Sequence, residues 1–130
     1  MRYLAITLPL LLLLMSAAIA PVQAAETRKY PDVVDVAVTE AGAGRYHFDV
    51  TLSSPYDSPE RYADAFRVST PEGKTLGVRK LLHHHANEQP FTRSLRDVAV
   101  PEGVSRVVVE GRDQQYGYGG ETVEAALPAR

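Results

Sequence analysis

The sequence predicts an all-β domain, a seven-stranded antiparallel β-sandwich that follows an N-terminal signal peptide. After the apolar N-terminal run no long amphipathic helix pattern occurs, and short apolar segments recur about every 10 to 15 residues. Gly, Pro, Asp and Ser separate these segments, as is typical of a sandwich. The predicted strands are Val33–Thr39, Tyr46–Ser53, Ala63–Ser69, Thr75–His83, Phe91–Leu95, Val104–Arg112 and Thr122–Leu127.

Alternation of apolar and polar residues supports several of these strands. In the first strand we expect three valines on one face: Val34, Val36 and Val38. The second strand is the clearest case, because four apolar residues alternate with polar ones: Tyr46, Phe48, Val50 and Leu52. In the sixth, the run of valines 107–109 is typical of a central strand that is covered on both sides.

The predicted turns contain the residues that tight turns require. The segment 41–44 places two glycines between the first two strands, where positive φ angles are needed. Pro71 and Gly73 fit a hairpin turn between the third and fourth strands. A single helical turn is the alternative at 58–61, with Ser58 as N-cap and Pro59 in the first turn.

The N-terminal segment has the anatomy of a secretory signal. A basic Arg2 precedes an apolar run over residues 4–20, and Val22 and Ala24 form a small-x-small cleavage site. We therefore predict a signal peptide over 1–24, cleavage after Ala24, a short lead over 25–31 and the sandwich over 32–128. The alternative is an uncleaved anchor, for which the run is at the short limit. The expected destination is the periplasm or the medium, with membrane contact only through the signal before cleavage.

Composition excludes several function classes. Without Arg2 the chain has 13 basic and 16 acidic residues, a balance that does not favour nucleic acid or an anionic membrane as partner. The absence of cysteine excludes thiolate chemistry, iron–sulfur clusters and a lipid-modified cysteine in this sequence, and leaves core packing as the source of stability. We find no catalytic motif and expect no enzyme. Ser94 with a histidine of the 83–85 triplet is the remaining hydrolase alternative, and nothing recommends it.

Seven short strands in about 100 residues, with the aromatic Phe66 in the third, resemble the immunoglobulin/fibronectin type III class of sandwich. The resemblance is one of pattern, since the Cys…Trp…Cys signature and the tyrosine corner are missing. It implies strands of alternating direction, and therefore places the loops 54–61, 84–90 and 113–120 at one end of the domain. Such loops often carry recognition.

That end would hold most of the chemically versatile side chains of the chain. It collects three consecutive histidines, four tyrosines and four acids: His83, His84, His85, Tyr56, Tyr62, Tyr116, Tyr118, Asp57, Glu60, Glu88 and Asp113. His47 lies near the opposite end, so we expect it not to join the triplet.

The histidine triplet has a metal interpretation and a structural one. In an extended chain His83 and His85 project to the same face, where two imidazoles could share Zn²⁺ or Cu²⁺. Glu88 or Asp113, or else Asp57, would complete the site. In the structural interpretation the rings cap the sandwich, one histidine holds the loop in place, and no cofactor is required.

Two further features have alternative interpretations. The segment 116–120, rich in Tyr and Gly, suits either an adaptable contact surface or a wide turn. Four cations on the fourth and fifth strands are expected to form a solvated face rather than an anion site: Arg79, Lys80, Arg93 and Arg96.

The preferred function is therefore an exported, non-catalytic binding or accessory module that meets a protein or other ligand through this end. The candidate contact residues are Tyr56, Asp57, His84, Tyr116 and Tyr118. The alternative is a periplasmic copper- or zinc-binding protein with His83 and His85 as its central ligands.

Overall fold

A computed structural model of the chain describes Tyr3 and residues 28–129. The predicted signal peptide lies outside the described residues, Tyr3 excepted. The strands are β1 (Asp32–Gly42), β2 (Arg45–Ser53), β3 (Ala63–Ser69), β4 (Thr75–Lys80), β5 (Phe91–Ala99), β6 (Arg106–Asp113) and β7 (Gly117–Ala126). This part of the chain contains no helix that could cross a lipid bilayer.

The strands form two antiparallel sheets. One has the order β1-β2-β5, and the other has the order β4-β3-β6-β7. The predicted all-β class and the number of strands are confirmed. Within residues 28–129 the strands β1, β4, β5 and β7 are therefore the sheet edges, and β4 is followed by no further strand in its sheet.

The core lies between the two sheets. The predicted inner face of β2 is confirmed, because Tyr46, Phe48, Val50 and Leu52 are each at most 1% exposed. The opposite sheet contributes a matching fully buried set: Phe66, Val68, Val107 and Val109. Burial of each large apolar side chain contributes about 1.5–3 kcal/mol of transfer free energy, and this burial is the main source of stability in such a layer.

The prediction that Val34 shares a face with Val36 and Val38 is wrong. Val33 pairs with Leu52 and Asp35 pairs with Thr51, the adjacent residue of β2, so a bulge places Val34 between the two pairs. The bulge reverses the side-chain alternation at that point. Val33 is consequently buried, whereas Val34 is 51% exposed.

The fourth strand is shorter than predicted, and the difference concerns the histidines. β4 ends at Lys80 rather than at His83. Leu81 turns into the core and donates its N–H to the carbonyl oxygen of Asp64 at 2.8 Å. Leu82 then points outward and is 83% exposed. The whole triplet therefore lies in the β4–β5 loop, where the period-2 rule does not apply.

The seventh strand is longer than predicted. It begins at Gly117, not at Thr122, because residues 117–119 continue the ladder with β6. The predicted 113–120 loop is thus reduced to a turn over 114–116. Tyr118 consequently lies on a strand and pairs with Arg112 across the sheet.

The remaining turns follow the sequence predictions closely. Gly73 adopts φ 96°, and the backbone N–H groups of Thr70 and Gly73 are bonded within the turn, as a hairpin requires. At 58–61 the chain makes a turn instead of a helix. The Ser58 hydroxyl nevertheless accepts the backbone N–H groups of Glu60 and Arg61, at 3.3 and 3.2 Å.

Candidate functional site

Three connections meet at one end of the sandwich, as the sequence suggested. They are the β2–β3 loop (54–62), the β4–β5 loop (81–90) and the β6–β7 turn (114–116). The Gln114 N–H donates to the carbonyl oxygen of Tyr62, which joins the first loop to the third. His47 lies elsewhere, since its Nδ1 accepts the N–H of Asp97 at 2.9 Å beside Arg45. We call the group of three connections the loop end.

Asp57 joins the first loop to the second from a buried position. Its Oδ1 accepts the N–H of Ala63 at 3.0 Å, and its Oδ2 accepts the N–H of His85 at 2.9 Å. The residue is 6% exposed. Both carboxylate oxygens are therefore engaged with backbone, so this candidate contact residue shapes the loop end from within.

His85 is the buried member of the triplet. Its ring stacks on the Phe91 ring with the centroids 4.0 Å apart and the planes at 10°. Burial lowers the pKa of His85, and the positive charge of Arg93 and the neighbouring His83 lower it further. These effects favour the neutral imidazole, and its buried Nδ1 has no hydrogen-bond partner among the described residues.

His83 and His84 lie nearer the surface. The ring of His83 is 4.8 Å from that of His85, so these two rings are neighbours although no strand places them. The Nδ1 of His83 is 3.0 Å from the carbonyl oxygen of His84, and the Nδ1 of His84 accepts the Ala86 N–H at 3.3 Å. One ring nitrogen of each is therefore engaged within the loop.

Gln89 ties the histidine loop to the end of β2. Its Oε1 accepts the N–H of Ser54 at 2.8 Å, while its Nε2 donates to the carbonyl oxygen of His85 at 3.0 Å. The same carbonyl accepts the Glu88 N–H at 3.0 Å. The β4–β5 loop is thus held by a connected set of hydrogen bonds, which corresponds to the structural interpretation of the triplet.

The acids that were expected to complete a metal site have other partners in the structure. Both oxygens of Glu88 accept from the guanidinium of Arg93, at 3.2 and 2.9 Å, and this pairing lowers the pKa of Glu88. Asp113 is fully buried beneath the β6–β7 turn. Within the described part of the chain, no three His, Cys, Asp or Glu side chains are grouped so that they could hold a metal ion.

Asp113 organises the β6–β7 turn. Its Oδ2 accepts the backbone N–H groups of Gln115 and Tyr116, each at 2.9 Å, and the Arg61 Nε at 3.2 Å. Burial acts to raise the pKa of Asp113, but the Tyr56 hydroxyl, these two N–H groups and Arg61 outweigh burial and lower it. The carboxylate is therefore ionised and serves the fold.

Arg61 fills the space between two of the candidate tyrosines. Its guanidinium lies 4.2 Å from the Tyr56 ring centroid and 4.9 Å from that of Tyr116. Its Nη2 donates to the carbonyl oxygens of Arg28 and Lys29, at 2.7 and 2.8 Å. Burial raises the pKa of Tyr56, and Asp113 raises it further. Tyr56 is thus part of a packed cation–aromatic stack.

A groove lies beside the loop end, on the outer face of the four-stranded sheet. Its cavity volume is about 460 Å³. Ala65 lies between Lys80 and Arg112 in the register of the sheet, so a small side chain separates two long ones. The residues that line the groove include Ala65, Val78, Lys80, Leu82, Arg112 and Tyr118.

The groove is the feature that the sequence interpretation missed. Val78 is 42% exposed and Leu82 is 83% exposed, so two apolar side chains of the groove face solvent. The ring centroid of Tyr118 lies 3.9 Å from the guanidinium carbon of Arg67. The pair Leu81–Leu82 was the available signal, because consecutive residues of an extended chain cannot both face the core.

Comparison with known proteins finds one close sequence relative and no matching family model. The relative, from Halomicrobium mukohataei, is named "Putative lipoprotein". It is 47% identical over 92 residues, which are 71% of this chain and 45% of the relative. The chain therefore spans less than half the length of the curated relative that it matches.

Two solved structures are similar to this chain over part of its length. A superoxide reductase (1Fe-SOR) from Giardia intestinalis is 14% identical, with a TM-score of 0.44, and the match covers 74% of this chain and 99% of the reductase. A DUF3823 family protein from Bacteroides ovatus is 14% identical, with a TM-score of 0.46, over 76% of this chain and 56% of that protein. Neither likeness carries a conclusion about chemistry.

Proposed function

We propose that the protein is an exported, non-catalytic binding or accessory module that meets its partner at the loop end, through the groove on the adjoining sheet face. One observation carries the proposal: Leu82 is an aliphatic residue that is 83% exposed at a groove of about 460 Å³. Exposed apolar side chains beside a concave surface are a feature of interaction and ligand-binding sites.

The domain is proposed to be a sandwich of the immunoglobulin/fibronectin type III class. Seven strands in two antiparallel sheets support this assignment. The strand order differs from that of constant-type immunoglobulin domains, because β4 pairs with β3 instead of joining the sheet of β1, β2 and β5. The β3–β4 hairpin thereby widens the face that contains the groove.

Export is proposed from two independent features. The first is the signal-like N-terminal segment, with its basic start and apolar run. The second is the relative's name, which describes a lipoprotein. The 130 residues contain no cysteine, so lipidation is not part of the proposal.

The proposed contact set combines predicted and new residues. Tyr116 is 45% exposed and Tyr118 borders the groove, so both remain in the set together with the half-buried His84. Val78 and Leu82 are added because of their exposure. Tyr56 and Asp57 act indirectly, by shaping the loops.

Site-specific photocrosslinking in cells that export the protein tests this proposal. A photoreactive amino acid replaces Leu82 or Tyr118 in turn, and the exposed Glu102, in the turn before β6, is the matched control position. We expect the same adduct from Leu82 and Tyr118 and none from Glu102. Absence of an adduct at the first two positions, or an equal adduct at all three, would refute the proposal.

A copper or zinc site is the second candidate, and one observation favours it. The rings of His83 and His85 are neighbours at 4.8 Å, and the buried Nδ1 of His85 has no partner among the described residues. The test is calorimetric titration of the untagged protein with CuCl₂ and with ZnCl₂, beside the variant His83→Ala/His85→Phe. Stoichiometric binding that the variant loses would support this function, whereas equal weak binding by both proteins would exclude it.

A further inference from the structure

We propose that the partner contributes an extended, acidic segment of polypeptide that adds as a new strand along the free edge of β4. The inference rests on the proposed function, because it names the chemistry of the partner for the same region. Addition of a strand to a sheet edge is a common recognition mode, in which backbone hydrogen bonds supply affinity and alternate side chains supply specificity.

The edge of β4 has backbone donors that face away from its own sheet. The N–H of Leu81 donates to the carbonyl oxygen of Asp64, which marks that pair as a hydrogen-bonded one. Because such pairs alternate along an antiparallel ladder, the N–H groups of Val78 and Lys80 point away from β3. Among the residues that the structure describes, no strand of the sheet follows on that side.

The charge of this edge selects an acidic partner. Residues 74–80 include Lys74, Arg79 and Lys80 and no acid. Lys80 is exposed and makes no ion pair within the part of the chain that the structure describes. Arg79 donates one bond, to the Ser94 carbonyl oxygen of β5 at 2.7 Å, and remains half-buried beside the edge. Carboxylates on an added strand would therefore find unpaired cations.

The same charge disfavours a second copy of this chain as the occupant. Antiparallel pairing of two β4 strands about Gly77 would bring Lys74 of one copy directly opposite Lys80 of the other. Like charges on neighbouring strands are destabilising. Basic residues on an edge can also serve only to prevent aggregation, and the experiment below separates that role from recognition.

Apolar contacts beside the edge would hold the added strand in register. Val78 and Leu82, exposed by 42% and 83%, lie on the groove side of β4. Alternate side chains of an added strand project to that same side. Lys80 lies between Val78 and Leu82 on that side, so a segment with an aliphatic, an acidic and an aliphatic residue at successive alternate positions matches all three.

The probe is an acetylated, amidated octapeptide that has valine, glutamate and valine at successive alternate positions and threonine at the others, and it is added to the purified, isotope-labelled protein. We expect amide hydrogen-exchange protection at Val78 and Lys80, and binding that weakens as salt is added. An octapeptide with lysine in place of glutamate is the matched probe and should bind at least tenfold more weakly. A third peptide is N-methylated at every second residue, so it lacks the backbone N–H donors that strand addition requires.

Matched variants assign the effect to the edge. Lys80→Glu should weaken binding of the glutamate peptide about tenfold, since it replaces an attraction by a repulsion. Arg45→Glu changes the net charge equally near His47 and should leave binding within about twofold. Far-ultraviolet circular dichroism and the urea midpoint confirm that each variant is folded.

The inference fails if the glutamate peptide does not bind, if the lysine peptide binds equally well, or if the protected amides lie elsewhere. If the basic residues serve only to prevent aggregation, the glutamate peptide will not bind and the Lys80→Glu variant will aggregate. If the glutamate peptide does not bind while crosslinks at Leu82 persist, the proposed strand addition to β4 is wrong and the proposed function stands. If the crosslinks also fail, both proposals fall.

Discussion

The replacement Asp57→Ala provides the most direct test of how the loop end is held together. Asp57 accepts the backbone N–H groups of Ala63 and His85, at 3.0 and 2.9 Å, from a site that is 6% exposed. Removal of the carboxylate leaves both buried donors without a partner, and each costs about 1–3 kcal/mol. The expected loss in the free energy of unfolding is therefore about 4 kcal/mol, a large share of the roughly 5–15 kcal/mol typical of a domain.

Urea denaturation followed by far-ultraviolet circular dichroism measures this loss. The midpoint should fall while the m-value stays constant, because the surface exposed on unfolding is unchanged. Asp57→Asn keeps one acceptor oxygen and should lose about half as much. Asp35→Ala, at an exposed position of β1, is the control and should change stability by less than about 0.5 kcal/mol. A loss below about 1 kcal/mol for Asp57→Ala would refute the reasoning.

Three further predictions concern other parts of the fold. Burial lowers the pKa of His85 below its usual 6.5, so the unfolded chain binds the proton more readily than the folded protein does. The free energy of unfolding should therefore fall as the pH decreases through 6.5 towards the pKa of the folded state. In metal-free buffer His85→Phe should remove this part of the pH dependence of the free energy of unfolding, as measured by urea denaturation at a series of pH values. If the variant shows the same pH dependence as the parent protein, the prediction is contradicted. Gly120→Ala should destabilise by about 2–4 kcal/mol, because φ is +82° and the new methyl group meets the Pro31 carbonyl oxygen, whereas Gly73→Ala, with a positive φ but open space, should cost about 1 kcal/mol. Equal losses in thermal unfolding would show that the contact with Pro31 is unimportant. Leu82→Ser should leave the free energy of unfolding, measured by urea denaturation, within about 0.5 kcal/mol of the parent value while abolishing the crosslink from position 118 and the peptide binding. A folding defect instead would make Leu82 a structural residue.

The second strand shows how much of the core could be predicted from residue order. Four apolar residues at period 2 are sufficient to identify a buried face, and all four are at most 1% exposed. The first strand contains an equally regular pattern of valines, yet Val34 is exposed. A bulge depends on the pairing between two strands, which the order of residues in one strand does not contain.

The candidate site was predicted only in outline. The gathering of the three loops at one end followed from alternating strand directions, and the bonds of Asp57 and Gln114 confirm it. The partners of individual side chains did not follow. Asp113 and Glu88 have carboxylates suited to a metal, but arginines contributed by segments that lie nearby in the fold neutralise them.

By itself the sequence determined the all-β class, the seven strands, the separation of His47 from the triplet and the end of the domain that gathers His, Tyr and acidic residues. These depend on side-chain period and turn residues, which are local properties. Tertiary structure alone decided that His85 stacks on Phe91, that Asp113 binds Arg61, and that Leu82 and Tyr118 border a groove. The reason is that strand ends and side-chain partners are set by contacts with other segments of the fold, since pairing with β6 extends β7 and the register of β4 with β3 reaches only as far as Lys80.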